Sequence, residues 1–107
     1  MCEHNFDWEN PKHVRAFMTY YSALYEQLKT KLDTYGRVLL WDFDRYRELC
    51  EFTPIRNFLI DCKIARMSYQ EMVEEVHLRY GVLYNENHLA SIITREIPNR
   101  IATCAKK

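Results

Sequence analysis

The chain has 107 residues, of which 48% are hydrophobic and 28% charged, and its 15 Lys and Arg residues balance 15 Asp and Glu residues. This length and composition exclude a disordered chain and a separate catalytic lobe, and they indicate one domain, 1–107, with a single core. Only two Gly and three Pro residues are present, which favours a few long helices over a turn-rich β structure. We therefore predict an all-α domain of five to six helices.

A long helix is predicted over residues 10–35. Asn10-Pro11 combines a good N-cap with a residue favoured at the first helical position. Apolar residues then recur at spacings of three and four, at Val14, Phe17, Met18, Tyr21, Leu24, Leu28 and Leu32. We expect Gly36 to end this helix, and the two aromatic residues before it, Phe6 and Trp8, to fold back on its first turn.

Three tyrosines of this helix, Tyr20, Tyr21 and Tyr25, nearly encircle one stretch of it. More than one face is therefore expected to be buried, which is difficult for a single domain of this size. Either the N-terminal segment wraps the helix or a second copy of the chain does. We favour the second alternative, which predicts a homodimer.

Residues 37–66 are expected to form two helices that pack together. The first runs from about Val38 to Phe52. Thr53-Pro54 repeats the cap-plus-proline start and opens the second, which extends to about Arg66. The apolar positions of the first helix are Leu39, Leu40, Phe43, Tyr46, Leu49 and Cys50, and those of the second are Ile55, Phe58, Leu59, Cys62 and Ile64 or Ala65.

Residues 68–97 have the pattern of a helix-turn-helix. Ser68 and Glu71 form a capping-box start, and Gly81 stands where a helix ends in a left-handed conformation. Asn85 is a plausible N-cap for the second helix, which in many such motifs enters the DNA major groove. The helices have their apolar positions at Met72, Val73, Val76 and Tyr80, and at Leu89, Ile92, Ile93 and Ile97. Pro98 either bends the second helix or starts a short sixth one, and residues 98–107 are expected to form a basic tail.

The second helix of this motif carries polar residues suited to double-stranded DNA. Arg can bind guanine through two hydrogen bonds, Asn can pair with adenine, and Ser or Thr can hold phosphate. Residues 77–107 are also the basic section of the chain, with five cations against Glu86 and Glu96. The candidate contacts to bases or adjacent phosphates are Asn87, His88, Ser91, Thr94 and Arg95, and the flanking phosphate contacts are Arg79, Arg100, Lys106 and Lys107. The alternative is an ordinary solvated helix face.

A second candidate surface is acidic. Zero net charge, an acidic middle third and abundant tyrosine suit a protein interface at least as well as a phosphate backbone. The carboxylates that would form this protein-binding face are Asp42, Asp44, Glu48, Glu51, Glu71, Glu74 and Glu75.

No motif in the sequence indicates catalysis, a cofactor or a metal. A glycine-rich phosphate loop, a His-Glu-x-x-His pair and a nucleophile elbow are all absent. The four cysteines, Cys2, Cys50, Cys62 and Cys104, form no Cys-x-x-Cys pair, and no stretch approaches the ~20 apolar residues of a membrane span. We expect a non-enzymatic cytoplasmic protein with reduced cysteines and no membrane partner.

The segments Phe52-Thr53-Pro54-Ile55-Arg56 and Met67-Ser68-Tyr69-Gln70-Glu71-Met72 resemble the fourth region of bacterial sigma factors and related phage regulators. The segments 10–27 and 93–102 resemble small proteins of unknown role in clostridial phages and prophages. Two features depart from the sigma-factor pattern: Val73 replaces a small residue, and 81–85 is longer than the usual turn. The resemblance implies a phage or prophage helix-turn-helix regulator that binds DNA as a dimer in a bacterial host cell. The alternative is a phage-encoded inhibitor that uses the same fold to bind a host protein, such as a CRISPR nuclease or RNA polymerase.

Overall fold

The computed structural model describes residues 6–30 and 34–106, and this part of the chain is all-helical. Its elements, in chain order, are α1 (Pro11–Thr30), α2 (Thr34–Cys50), α3 (Pro54–Ile64), α4 (Tyr69–Tyr80), α5 (Glu86–Ser91), a π-helical turn (Ile92–Glu96) and α6 (Ile97–Ala105). The last three follow one another without a break, so the described residues form five continuous helical segments. The predicted all-α fold class is confirmed.

Helix α1 lies at the centre of the fold and packs against α2, α3 and α6. Its stripe of Val14, Phe17 and Met18 is buried. Phe6 and Trp8 fold back onto α1 as predicted, since their ring centroids lie 5.8 and 5.2 Å from that of Phe17.

The tyrosines of α1 do not share one environment. Tyr21 packs between the rings of Phe17 and Phe43, so α2 of the same chain covers it. Tyr20 is 66% exposed, and the side chain of Tyr25 lies outside the described residues. Because other helices of its own chain already cover the buried side of α1, the described aromatic residues do not by themselves require a second copy.

The predicted boundary between the first two helices is wrong. The described part of α1 ends at Thr30, and Gly36 is buried inside α2 rather than ending the helix before it. A glycine costs a helix interior only about 1 kcal/mol relative to alanine, which burial in the core can outweigh. Predicted core residue Leu49 is also 63% exposed, at the C-terminal end of α2.

The local signals in 53–85 are confirmed. The Thr53 hydroxyl accepts the Arg56 N–H, and the Ser68 and Glu71 side chains form both halves of a capping box. Gly81 ends α4 in the left-handed conformation with φ of 71°, and Asn85 caps α5 by accepting the His88 N–H at 2.7 Å.

Pro98 starts a short sixth helix, α6, which confirms one of the two alternatives that the sequence left open. It lies in the first turn of α6, directly after the π-helical turn, in which the Ile97 N–H donates to the Ile92 carbonyl. Proline has no N–H and its ring clashes with the carbonyl four residues earlier, and a wider π turn relieves both problems. The prediction of a tail from residue 98 is therefore wrong: Pro98, Ile101 and Ala102 are buried in α6, which holds the core against α1 and α2.

Candidate nucleic-acid interface

A cleft with cationic walls lies where the first turn of α1 meets the π-helical turn and α6. Its volume is about 340 Å³. We call it the basic cleft, and its lining residues are Asn10, Pro11, Lys12, Arg15, Thr94, Arg95 and Asn99. Three side chains are cationic, two are amides and one is a hydroxyl, and no acidic residue lines the cleft.

The cap of α1 and the packing of α1 against the C-terminal helices together position the cations of the basic cleft. The Asn10 side chain accepts the Lys12 N–H at 3.0 Å, which fixes the start of α1. Lys12 and Arg15 are three residues apart, and both are exposed beside the buried Val14. Because α1 packs against α6 and the π-helical turn, this cationic edge is brought next to Arg95.

The cations of the basic cleft are available to an external anion. Lys12, Arg15 and Arg95 are exposed and form no ion pair with any residue in the described part of the chain. The neighbouring carboxylate of Glu96 is already paired with Arg56 at 2.7 Å. Three uncompensated positive charges in one concave site attract phosphate groups.

The rest of the predicted base-contacting set continues from this cleft along α5. Asn87 and His88 are exposed, and the His88 ring lies in edge contact with Tyr84, 5.1 Å between centroids. Ser91 is half-buried, and the Thr94 hydroxyl donates to the Ala90 carbonyl at 2.8 Å, which leaves its oxygen free to accept.

The predicted flanking phosphate contacts are not brought together. Arg79 donates to Glu75 at 3.3 Å and its guanidinium lies over the Phe58 ring. Arg100 donates to the Cys50 carbonyl at 2.8 Å and so closes the C-terminal end of α2. Lys106 is exposed at the end of α6, and Lys107 lies outside the described residues.

The predicted acidic face separates into two groups on different helices. On α2, a cavity of about 550 Å³ is lined by Asp44, Glu48 and Glu51 together with Arg47, Phe52 and Asn57. Burial is the main cause that raises the pKa of Asp44 above its usual 3.8; Arg47 lowers it and Glu48 raises it further. This cavity is the acidic counterpart of the basic cleft.

The other predicted carboxylates are mostly engaged within the chain. Glu71 serves the capping box of α4 and Glu75 pairs with Arg79, while Glu74 is exposed. Asp42 pairs with Arg45 on the outer side of α2 at 3.5 Å. The α4 carboxylates therefore offer less free charge than the sequence suggests.

The Cys62 thiol is unreactive and is not a candidate nucleophile. It is buried against the core, and burial together with Asp61 raises the pKa of its thiol to about 11. The described residues contain no group of three His, Cys, Asp or Glu side chains able to hold a metal, and Cys2 and His4 lie outside them. No helix in the described ranges combines the length and hydropathy of a membrane span.

Comparisons with protein families, curated proteins and solved structures find no match for this chain. Sequence reasoning named Thr94 and Arg95 but missed Lys12 and Arg15. The available signal was the pair of cations directly after the Asn10-Pro11 start, on the side of the helix away from its apolar stripe.

Proposed function

We propose that this chain is a DNA-binding helix-turn-helix regulator of phage or prophage origin that acts as a dimer. The observation that carries the proposal is the basic cleft, where Lys12, Arg15 and Arg95 have no ion-pair partner in the described part of the chain. Cations that are already paired gain little from phosphate, because they must first give up their partner. Unpaired cations release condensed counterions from DNA at no such cost.

In this proposal the cleft grips the phosphate backbone and the exposed side of α5 faces the bases. Lys12 and Arg15 hold phosphates, and Arg95 lies between them and α5. Asn87 and His88 then reach base edges, since amide and imidazole groups suit the hydrogen-bond pattern of the major groove. Arg79 and Arg100 are expected to support the fold rather than the DNA.

The test is fluorescence anisotropy of a labelled duplex at about 50 and about 200 mM salt. Each phosphate contact contributes about 0.9 to the slope of log affinity against log salt. Replacing Lys12, Arg15 and Arg95 together by Gln is therefore expected to reduce the magnitude of that slope by about three for each bound chain. Absence of binding at the lower salt would overturn the proposal.

A single-residue comparison separates a specific contact from general charge. Arg95→Ala is expected to weaken specific binding by about 1–3 kcal/mol. Arg95→Gln and Lys63→Gln remove the same charge, but Lys63 lies on α3 and does not line the basic cleft. Equal losses in the two Gln variants would contradict the role of the cleft.

The acidic cavity on α2 favours a second candidate function, in which the chain inhibits a host protein by occupying its basic nucleic-acid channel. Asp44, Glu48 and Glu51 are gathered around one concave surface. The variant Glu51→Lys is expected to weaken capture of a CRISPR nuclease or RNA polymerase if the chain is such an inhibitor, and to leave or improve DNA binding if it is a DNA-binding regulator. The α4 variant Glu74→Lys is the matched control, because it reverses an exposed charge outside the cavity.

A further inference from the structure

The outer side of α2 carries an apolar stripe that no described residue covers. Val38, Trp41 and Leu49 are 40%, 63% and 63% exposed, and Arg45 lies between them. We call these four residues the α2 stripe. Their spacing of three, four and four places them on one side of the helix, while Leu40, Phe43 and Cys50 face the core. Single exposed apolar residues are ordinary, but an aligned set that includes a tryptophan marks a contact surface.

We propose that the α2 stripe is the interface between two copies of this chain, paired antiparallel about a two-fold axis near residues 43 and 44. The inference specifies the surface of the dimer named in the proposed function. The sequence pattern placed the contact between the two copies on α1, whereas this inference places it on α2. The physical reason is that the apolar side of α1, with Val14, Phe17 and Met18, is already covered by helices of its own chain.

The match of Val38 with Leu49 and the complementary charges of Asp42 and Arg45 favour a second copy as the occupant. In an antiparallel pair centred between residues 43 and 44, position 38 lies opposite position 49, so Val38 meets Leu49 of the second copy. Position 42 lies opposite position 45, so Asp42 meets Arg45. Each of these contacts occurs twice in a two-fold pair, with the roles of the two copies exchanged.

The charges around the stripe fit the same register. Asp42 and Arg45 already form an exposed pair at 3.5 Å within one chain, and pairing adds a second counter-charge to each. Arg45 also comes beside Trp41 of the second copy, where a guanidinium over an indole is favourable. Arg37 and Glu48 lie along one flank of the helix and face each other across the axis. A parallel pair would instead set Asp42 against Asp42 and Arg45 against Arg45.

The small area of the α2 stripe limits the affinity of the dimer. Helix α2 has 17 residues, or about 25 Å of length at 1.5 Å per residue. One pair of helices of that length buries less than the 1,200–2,000 Å² or so of a standard stable interface. The dimer is therefore expected to be weak and to dissociate on dilution.

Sedimentation equilibrium on the full chain tests this directly. From about 1 µM to about 1 mM protein, the apparent mass is expected to rise from the 13.0 kDa of one chain towards twice that value. Trp41→Glu is expected to raise the dissociation constant at least about tenfold, as for a central aromatic anchor. Tyr20→Glu is the matched control, since it makes the same kind of change at an equally exposed aromatic residue, 66%, on α1.

A charge-exchange experiment tests the register itself. Asp42→Arg places two cations, and Arg45→Asp two anions, at the paired positions, so each variant alone is expected to dimerise less than the parent chain. A mixture of the two restores both opposite-charge pairs and is expected to form a heterodimer. Circular dichroism confirms that each variant is folded.

Three results would overturn the inference: a mass of one chain at every concentration, loss of the dimer in Tyr20→Glu but not in Trp41→Glu, or no heterodimer in the mixture. None of these readouts involves DNA. A monomer that still binds DNA through the basic cleft would therefore refute the dimer surface alone, and a dimer that binds no DNA would refute the nucleic-acid proposal alone.

Discussion

Arg47 on α2 forms three hydrogen bonds to α3, and its removal tests how much these bonds contribute to stability. Its Nε donates to Asn57 Oδ1 at 3.0 Å, and its Nη2 donates to the Asn57 carbonyl at 2.9 Å and to Asp61 Oδ1 at 2.8 Å. The Arg47 side chain is 21% exposed, whereas that of Asp61 is 63% exposed. The bonds to Asn57 are thus shielded from water and the ion pair to Asp61 is not.

Arg47→Ala is expected to lower the free energy of unfolding by about 2–3 kcal/mol. Each bond to Asn57 contributes roughly 1 kcal/mol, and the exposed ion pair adds roughly 0.5 kcal/mol. In a domain of this size such a loss lowers Tm by about 10 °C. Urea unfolding followed by circular dichroism measures it, provided that the slope with denaturant is unchanged.

Arg45→Ala is the matched control for Arg47→Ala. Arg45 lies on the same helix but pairs with Asp42 only at 3.5 Å, and the two side chains are 63% and 29% exposed. Its loss is expected to cost below about 0.5 kcal/mol. Protein concentration is kept low, because Arg45 belongs to the α2 stripe. Equal destabilisation by the two variants would refute the argument that burial of the Arg47 bonds decides their contribution.

Three further predictions rest on single residues. Gly81→Ala is expected to destabilise the fold by about 1 kcal/mol in urea unfolding, because φ is 71° but no atom lies within 4 Å of an added Cβ, so only backbone strain is introduced. Asp44→Asn is expected to raise Tm at pH 7, since burial raises the pKa of this carboxyl above 3.8 and the folded state holds its charged form at a cost. That gain should shrink as pH falls towards 3.8, and a gain independent of pH would contradict it. Cys62, with a pKa of about 11, is expected to resist iodoacetamide at pH 8 in the folded protein and to react in urea, as mass spectrometry of the alkylated peptides would show.

Signals that involve only a few neighbouring residues were readable from the sequence. The capping box at Ser68, the left-handed Gly81 and the N-cap at Asn85 each depend on hydrogen bonds or backbone geometry within four residues. The position of Gly36 inside a helix and the π turn before Pro98 were not readable in the same way. Gly36 is buried within α2, and Pro98 follows a π turn in which the Ile97 N–H donates to the Ile92 carbonyl.

In the candidate site, too, the residues found from local sequence differ from those that only tertiary packing brings together. Thr94 and Arg95 were found because they lie on the polar side of one predicted helix. Lys12 and Arg15 lie some eighty positions earlier in the chain, and only the packing of α1 against α6 and the π-helical turn brings them alongside. Conversely, the sequence cannot show that Arg100 is already bound to the carbonyl at the end of α2.

The basic cleft and the α2 stripe lie on different parts of the fold, so one chain can use both at once. The cleft is formed by the start of α1 with the π-helical turn and α6, whereas the stripe lies on the side of α2 that faces away from the core. Pairing through α2 therefore leaves both clefts open and relates them by a two-fold axis. If each cleft neutralises three phosphates, the slope of log affinity against log salt is about −3 for one chain and about −5 for the pair. A weak dimer would then bind DNA cooperatively, because DNA that engages both clefts also holds the two α2 helices together.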